Sequence, residues 1–452
     1  MSPTTFPLEL WANIMQYCSL ETLRVLTLVS HGCREEARRY LYCSLYFDHD
    51  NRKDVRRTLS WLDDDDDATP PGTRIHNLSA FRHTLSVWPG WRSTVQDVRL
   101  HWTTNGTAYC WKEPERDETA AEIQLNELVG ETATLLAESS ALQNLHLSIP
   151  RLDSPVPFAV HRLTSLAIPI TDCLHNAPDF STLLKLFQIP SLRHVELLQM
   201  LRLNCTIPDH CRQPGSSNVT SLKFTQCGPV SPEIAHLLSW PNNLQTLHIE
   251  MDIADGLHGY PYDSGIINYT ELPEALWPVQ HCLQDLNVDI LEDGGEWLGG
   301  PLQENAFQSF AKLRRLSIPA EMLIQLFECD YDGDSPDGYD PAPPLSTRLP
   351  ASIQELHLTL SCHCSWGNRT TLQPSSETKL LVAYLSGLVR FPELREVRIS
   401  IQFLADYSTL PLELEPTRHL VNVLESSGIA LSFPYVKPPR LGPCDMPATA
   451  DW

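Results

Sequence analysis

The stretch Leu244-Gln245-Thr246-Leu247-His248-Ile249 shows the pattern that decides the fold of this chain. Apolar residues occupy its first, fourth and sixth places, and nine other stretches of six residues have the same form. These stretches begin at Val95, Leu142, Leu163, Leu192, Val219, Leu283, Leu313, Ile353 and Leu394. Because successive side chains of a strand point to opposite faces, the fourth and sixth places share one face. The pattern therefore predicts ten short strands, each with one face to bury.

The spacing of these stretches is typical of a repeat protein. From Leu142 onward, the separation between starts ranges from 21 residues (142 to 163) to 41 residues (353 to 394). A single strand of this kind cannot bury its apolar face, whereas parallel stacking gives successive strands a shared core. Segments that return between strands are expected at 180–187, 232–238, 272–277, 320–327 and 380–389. We expect an α/β fold with a curved parallel sheet, and the alternative is a set of ordinary strands in a compact α/β domain.

The six-residue stretches resemble leucine-rich repeats in a degenerate form. The asparagine that this family places at the turn after the strand is missing, and Pro319 follows Ile318, for example. The resemblance implies an irregular solenoid over residues 95–433, most regular between 142 and 318. A proline-rich irregular tail is expected at 434–452.

Composition restricts the class of partner. The chain has 452 residues, more than one compact core usually holds. Its formal net charge of −23 argues against broad binding to nucleic acid or to an anionic membrane, so a protein partner is expected. The start shows no basic leader, and no apolar run approaches the roughly 20 residues of a membrane span. The 13 cysteines are scattered singly, as is typical of reduced thiols. We expect a soluble intracellular protein of the cytoplasm, the nucleus or both.

The first 46 residues show helical rather than strand spacing. Pro7 suits the opening of a first helix, because the N–H that proline lacks would be unpaired there. Ser19 is a candidate N-cap of a second helix, and a third short helix is expected to end near Tyr42. Three short helices are marginal as an independent domain, so packing against a partner is expected.

This segment resembles an F-box. The family pattern opens with Leu-Pro and an acidic residue, continues through Ile and Leu anchors to a Leu-Val-Cys/Ser run, and ends near Leu-Tyr. The matching residues are Phe6, Pro7, Leu8, Glu9, Ile14, Leu20, Leu23, Leu28, Val29, Ser30, Leu41 and Tyr42. Two departures are visible. Phe6 replaces the usual first leucine, and Cys33 lies near the place where the family commonly has Trp or Phe.

The resemblance implies that this segment docks on the Skp-type adaptor of a cullin-based SCF ubiquitin ligase, while the solenoid selects a protein substrate. The residues that it assigns to the adaptor face or to the packing of the head are Phe6, Pro7, Leu8, Glu9, Ile14, Leu23, Leu28, Val29 and Leu41. Residues 1–46 then form the F-box-like domain, and residues 47–94 form a helical linker with an acidic loop. The protein itself would be a non-catalytic subunit without a cofactor.

The polar places between the apolar ones are candidates for substrate contacts. In a parallel sheet they line up as a concave polar surface, which suits protein binding. The residues proposed for this role are His194, His248, Arg315, His357 and Arg398. The alternative function is a non-ligase scaffold that binds proteins and whose helical head merely caps the solenoid.

Three stretches that could hold a metal ion are better explained as ordinary structure. Asp330-Tyr331-Asp332-Gly333-Asp334 begins like a calcium loop, but Ser335 stands where such a loop needs glycine and Pro341 where it needs glutamate. Cys362-His363-Cys364 has one residue between its cysteines, where zinc pairs leave two to four. The five aspartates at 63–67 are expected in a solvated loop. Without a phosphate loop, a nucleophile elbow or a His-Glu-x-x-His motif, we expect no metal site and no catalysis.

Overall fold

A computed structural model describes the backbone of most repeats and of part of the N-terminal head. The described residues are 14–15, 17–50, 73–103, 120–139, 141–148, 162–169, 180–198, 207–227, 234–252, 272–291, 302–323, 345–362, 385, 387–403 and 422–432. The candidate adaptor residues Phe6 to Glu9, the five aspartates at 63–67, the loop at 330–341 and the tail at 434–452 lie outside these ranges.

The fold is α/β, and thirteen strands among the described residues form a parallel sheet that is not closed into a barrel. The strands are β1 (Ser44–Asp50), β2 (Thr73–Arg74), β3 (Asp97–Thr103), β4 (Asn144–Ser148), β5 (Ser165–Pro169), β6 (His194–Leu198), β7 (Ser221–Cys227), β8 (Thr246–Asp252), β9 (Asp285–Leu291), β10 (Arg315–Pro319), β11 (Glu355–Cys362), β12 (Glu396–Phe403) and β13 (Ala430–Ser432). All ten strands predicted from the six-residue stretches are present, as β3 to β12. The described chain forms two compact units, with β1 to β6 in unit 1 and β7 to β13 in unit 2.

The described helices include several of the predicted return segments. They are α1 (Leu20–Leu26), α2 (His31–Leu41), α3 (Leu78–Val87), α4 (Pro89–Arg92), α5 (Ala120–Ala137), α6 (Phe180–Phe187), α7 (Ile234–Leu238), α8 (Leu272–Ala275) and α9 (Ala320–Leu323), with 3-10 turns at Asp209–Cys211, Trp277–Val279, Leu345–Thr347 and Gly387–Arg390. In the part of the chain that the structure describes, none of the helices is long and apolar enough to cross a membrane.

Unit 1 begins with two strands that the repeat pattern did not predict. Its strand order is β2-β1-β3-β4-β5-β6, and β1 pairs with β3 along its whole length, from Ser44↔Asp97 to Asp50↔Thr103. Leu45 and Phe47 are buried in β1 as the fourth and sixth places of a repeat would be. The first place would be Tyr42, which is aromatic rather than aliphatic, and this is why the six-residue pattern missed the strand.

Unit 2 has the strand order β13-β12-β11-β10-β9-β8-β7. Neighbouring strands pair in matching phase, since fourth places face fourth places at Leu222↔Leu247, Leu247↔Leu286 and Leu356↔Val397. From β7 to β12, the fourth and sixth places are at most 1% exposed. Each large apolar side chain buried in this way contributes about 1.5–3 kcal/mol to folding. The continuous core therefore explains why the apolar places recur in spite of uneven spacing.

A backbone ladder keeps the repeats in this phase. The carbonyl oxygen of Gln245 accepts hydrogen bonds from the N–H groups of Gln284 (2.8 Å) and Asp285 (3.0 Å). The carbonyl oxygen of Gln284 in turn accepts from Arg314 (2.8 Å) and Arg315 (3.0 Å). Because these bonds join main-chain groups, the side chains at the second and third places stay available for other contacts.

Candidate protein-binding surfaces

The described part of the N-terminal head contains two capped helices, α1 and α2. The Ser19 side chain accepts a hydrogen bond from the Thr22 N–H at 3.2 Å, which confirms the predicted N-cap of α1. The Ser30 side chain accepts from the Cys33 N–H at 3.1 Å and caps α2 in the same way. An N-cap of this kind satisfies an amide that the helix itself cannot pair and stabilises the helix by about 1 kcal/mol.

The head has its own small core. Met15, Leu23, Cys33, Ala37 and Leu41 are buried against one another. Leu23 comes from α1, whereas Cys33, Ala37 and Leu41 occupy one face of α2 at spacings of four residues. This core joins α1 to α2.

Other apolar side chains of the head point into solvent. Five of them, which we call the exposed head residues, are Ile14 (44% exposed), Tyr17 (85%), Val25 (58%), Leu28 (80%) and Val29 (63%). They all lie within the stretch from position 14 to position 29. Single exposed apolar residues are common on protein surfaces, but a concentration of this kind is typical of an interaction site.

The predicted adaptor residues that the structure describes are of two kinds, buried and exposed. Leu23 (3% exposed) and Leu41 (4%) belong to the core of the head. Ile14, Leu28 and Val29 are among the exposed head residues. The sequence patterns did not single out Tyr17 and Val25, because helical spacing alone does not show which apolar face lacks a covering element.

The head is attached to the first strands of unit 1. The Leu41 carbonyl accepts a hydrogen bond from the Thr73 hydroxyl, and the Cys43 carbonyl accepts from the N–H groups of Gln96 (2.8 Å) and Asp97 (2.9 Å). Aromatic contacts between α2 and α4 add to these bonds. The end of α2 therefore continues directly into the sheet.

The second surface is the polar face of strands β7 to β12 in unit 2, which we call the strand face. Its middle row follows the fifth places of the repeats, which are in register from strand to strand. The residues of this row are Lys223, His248, Asn287, Ser317, His357 and Arg398. A second row, at the third places, contains Thr246, Asp285, Arg315, Glu355 and Glu396. On the other side of the middle row, Glu250 and Asp289 are in register on β8 and β9.

Ion pairs and hydrogen bonds link these rows around Asp289. The Nε2 atom of His248 lies 2.8 Å from Oδ2 of Asp289, and the Asn287 amide donates to the same oxygen at 2.9 Å. The ammonium of Lys223 lies 3.9 Å from the Glu250 carboxylate. The carboxylates of this part of the face are therefore partly neutralised within the sheet.

His357 is held between two serine hydroxyls on the neighbouring strands. Its Nδ1 atom lies 3.1 Å from the Ser317 oxygen, and its Nε2 atom lies 2.6 Å from the Ser400 oxygen. Burial lowers the pKa of His357, the Asp289 carboxylate raises it, and the Arg398 guanidinium lowers it. Ser400 is only 2% exposed, so this serine and histidine pair cannot present a nucleophile to a substrate.

Charged groups also pair within the second row and between the second row and the middle row. The Arg315 guanidinium lies 2.6 Å from the Asp285 carboxylate, and the Arg398 guanidinium lies 2.6 Å from the Glu396 carboxylate. Burial raises the pKa of Asp285, Arg315 opposes this rise, and the negative charge of Glu355 adds to it. The Arg398 hydrogen bond holds the pKa of Glu396 below its usual value.

The predicted substrate residues occupy different places on the sheet. His248, His357 and Arg398 share the middle row of the strand face, and Arg315 lies in the neighbouring row. His194 is exposed on β6, which belongs to unit 1. The acidic residues of the strand face were absent from the predicted set. Within the described ranges, no group of three or more His, Cys, Asp or Glu side chains could hold a metal ion. The described side chains of the strand face form hydrogen bonds and ion pairs.

Comparison with known proteins adds no family to this description. No protein-family model matches the chain, and no curated protein was found to be significantly similar to it in sequence.

Proposed function

We propose that this protein is the substrate-recognition subunit of an SCF-type cullin ubiquitin ligase. In this proposal the F-box-like head docks on the Skp-type adaptor, and the leucine-rich-repeat-like solenoid binds a protein substrate. The protein is a non-catalytic subunit of the cytoplasm, the nucleus or both. The F-box-like order of residues in the head, given above, is the sequence argument for this proposal.

The observation that carries the proposal is the exposure of Ile14, Leu28 and Val29 beside a buried core that other described residues of the head form. Leu23 and Leu41 are buried, so the head does not need the three exposed side chains for its folding. Full burial of an exposed side chain of this kind contributes about 1.5–3 kcal/mol, and the contribution of Ile14 is smaller because it is only 44% exposed. Together with the residues at 6–9, this burial would offset a substantial part of the cost of association.

The strand face supports the second half of the proposal. It presents charged and hydrogen-bonding groups on a row of strands whose backbone is held by the core and by the carbonyl ladder. A rigid scaffold of this kind positions polar groups without a large loss of entropy on binding. Its partner would be a protein segment rather than a small molecule, because the polar rows extend over six strands.

Co-purification with a Skp-type adaptor tests the docking step. The variant Leu28→Asp/Val29→Asp places two charges at the exposed head residues, and we expect it to lose the adaptor. The matched control is Val87→Asp/Trp88→Asp, which changes two adjacent exposed apolar residues of unit 1 (53% and 64% exposed) outside the head. Equal recovery of the adaptor with both variants and with the unchanged protein would contradict the proposal.

The alternative, a scaffold whose head only caps the sheet, is favoured by the bonds between Leu41 or Cys43 and the first strands. Deletion of residues 1–41 distinguishes the two functions, because β1 begins at Ser44 and remains intact. The ligase proposal predicts a folded truncated protein that no longer recovers the adaptor. The cap hypothesis predicts an aggregated or unfolded protein, and an adaptor that is never recovered with the full chain.

A further inference from the structure

The head differs in charge from the chain as a whole. Residues 17–43 contain four arginines and three glutamates, a formal net charge of +1, whereas the whole chain carries −23. Two ion pairs along α2, both at 3.1 Å, join four of these side chains: Arg38 with Glu35, and Arg39 with Glu36. The arginines outside these pairs are Arg24 of α1 and Arg34 of α2.

Arg34 is held next to the exposed head residues. Its Nε atom donates a hydrogen bond to the carbonyl oxygen of Thr27 at 2.9 Å, and Leu28 and Val29 directly follow Thr27. Arg34 is exposed, and its two terminal nitrogens form no hydrogen bond or ion pair with any residue that the structure describes. A guanidinium fixed through Nε can still bind a carboxylate through two parallel hydrogen bonds from its terminal nitrogens.

The position of Arg34 in its helix does not favour helix stability. Arg34 is the fourth residue after the N-cap Ser30 of α2, and no acidic residue lies in the first turn of that helix. The helix dipole favours negative charge near a helix N-terminus and opposes a cation there. In α1 the charges follow the dipole, with Glu21 in the first turn and Arg24 in the last. Arg34 is thus the head cation whose place the helices themselves do not explain.

We propose that Arg34 binds a carboxylate of the Skp-type adaptor, at the border of the apolar surface with which the adaptor covers Leu28 and Val29. This inference rests on the proposed function and adds the chemistry of the partner, an apolar surface with an acidic rim. Arg24 directly precedes the exposed Val25 and adds a second cation for the same rim.

The ion pair contributes specificity and not only affinity. Apolar contacts are not directional, whereas a bidentate pair between a guanidinium and a carboxylate fixes the orientation of the partner. A partner with a basic rim would be repelled by Arg34 and Arg24. The chain as a whole, with its charge of −23, repels an acidic partner, so cations at the contact itself supply an attraction that the rest of the protein does not.

The test is the affinity of a purified Skp-type adaptor for the full-length protein, measured by titration calorimetry in about 0.05 M and about 0.5 M NaCl. At the lower salt concentration we expect Arg34→Gln to weaken binding about three- to tenfold, and Arg34→Glu to weaken it further. The difference from the unchanged protein should shrink at the higher concentration, because salt screens exposed charges. The matched control is Arg314→Gln, which removes the same charge from an exposed position outside the head and should change the affinity less than about twofold.

A second variant guards against an effect on folding. Arg24→Gln leaves the hydrogen bond between Arg34 and Thr27 in place and should weaken adaptor binding in the same direction by a smaller factor. Thermal unfolding of each variant shows whether the head is still folded. An affinity of Arg34→Gln and Arg24→Gln equal to that of the Arg314→Gln control would overturn this inference and leave adaptor docking intact. Failure of the unchanged protein to bind the adaptor would overturn the proposed function, and this inference with it.

Discussion

The ring of Tyr42 stacks on the ring of Trp91, with 4.7 Å between the ring centroids and 28° between the planes. Tyr42 directly follows α2 of the head, and Trp91 lies in α4, which precedes β3. The Arg38 guanidinium lies 5.8 Å from the centroid of the Trp91 ring and adds a cation–π contact. Trp91 of α4 therefore receives one contact from α2 and one from the residue that follows α2, and these contacts hold the head at the start of the sheet of unit 1.

Replacement of Trp91 by alanine should weaken this attachment. We expect a loss of about 1–3 kcal/mol in the free energy of unfolding, measured by urea denaturation, because the variant removes an aromatic stack and a cation–π contact together with partly buried area. Trp88→Ala is the control, since Trp88 is 64% exposed and its loss should change stability by less than about 0.5 kcal/mol. Equal effects of the two variants would show that the stacking contact contributes nothing.

Alanine variants of Leu23 and Leu28 should separate the effect on the stability of the head from the effect on adaptor binding. Leu23→Ala leaves a cavity in the head core and is expected to cost about 2–5 kcal/mol. Leu28→Ala removes an exposed side chain and should change stability by less than about 0.5 kcal/mol, while it weakens recovery of the adaptor. Denaturation and co-purification are measured on the same preparations. A Leu28→Ala protein that is destabilised as much as Leu23→Ala would mean that Leu28 belongs to the core.

His357 should make the stability of unit 2 depend on pH. Burial lowers the pKa of His357 in the folded protein, so the unfolded chain binds a proton more readily. Stability from this group is present above the unfolded pKa of about 6.5 and is lost as the pH falls through the lower folded pKa. The melting temperature should therefore decrease between about pH 7 and pH 5, and His357→Gln should reduce this decrease. The control is His194→Gln, which changes an exposed histidine on β6. An unchanged slope in the His357 variant would contradict the prediction.

Much of the sheet could be predicted because one local pattern identifies both its strands and their buried side chains. Leu247 and Ile249 are fully buried, as their fourth and sixth places required, and the same holds for the corresponding places of β7 to β12. The strands that were missed had weak local signals. In β1 the first place holds Tyr42, and β2 contains only Thr73 and Arg74, which is too short for any alternation to be visible.

The candidate surfaces were less predictable, because they depend on neighbours that are distant in the chain. Leu23 and Leu28 are both apolar residues of the F-box-like pattern, and only the packing of α1 on α2 places one inside and the other outside. Glu355 and Glu396 lie 41 residues apart in the sequence and become neighbours only through the register of β11 and β12.

The sequence by itself determined the α/β architecture and the residues of the core, because alternation along a strand is a local property that needs no knowledge of the rest of the chain. Tertiary structure alone decided which polar side chains stand opposite one another and which apolar residues of the head remain in water. Those outcomes follow from register and packing between residues that lie far apart in the chain.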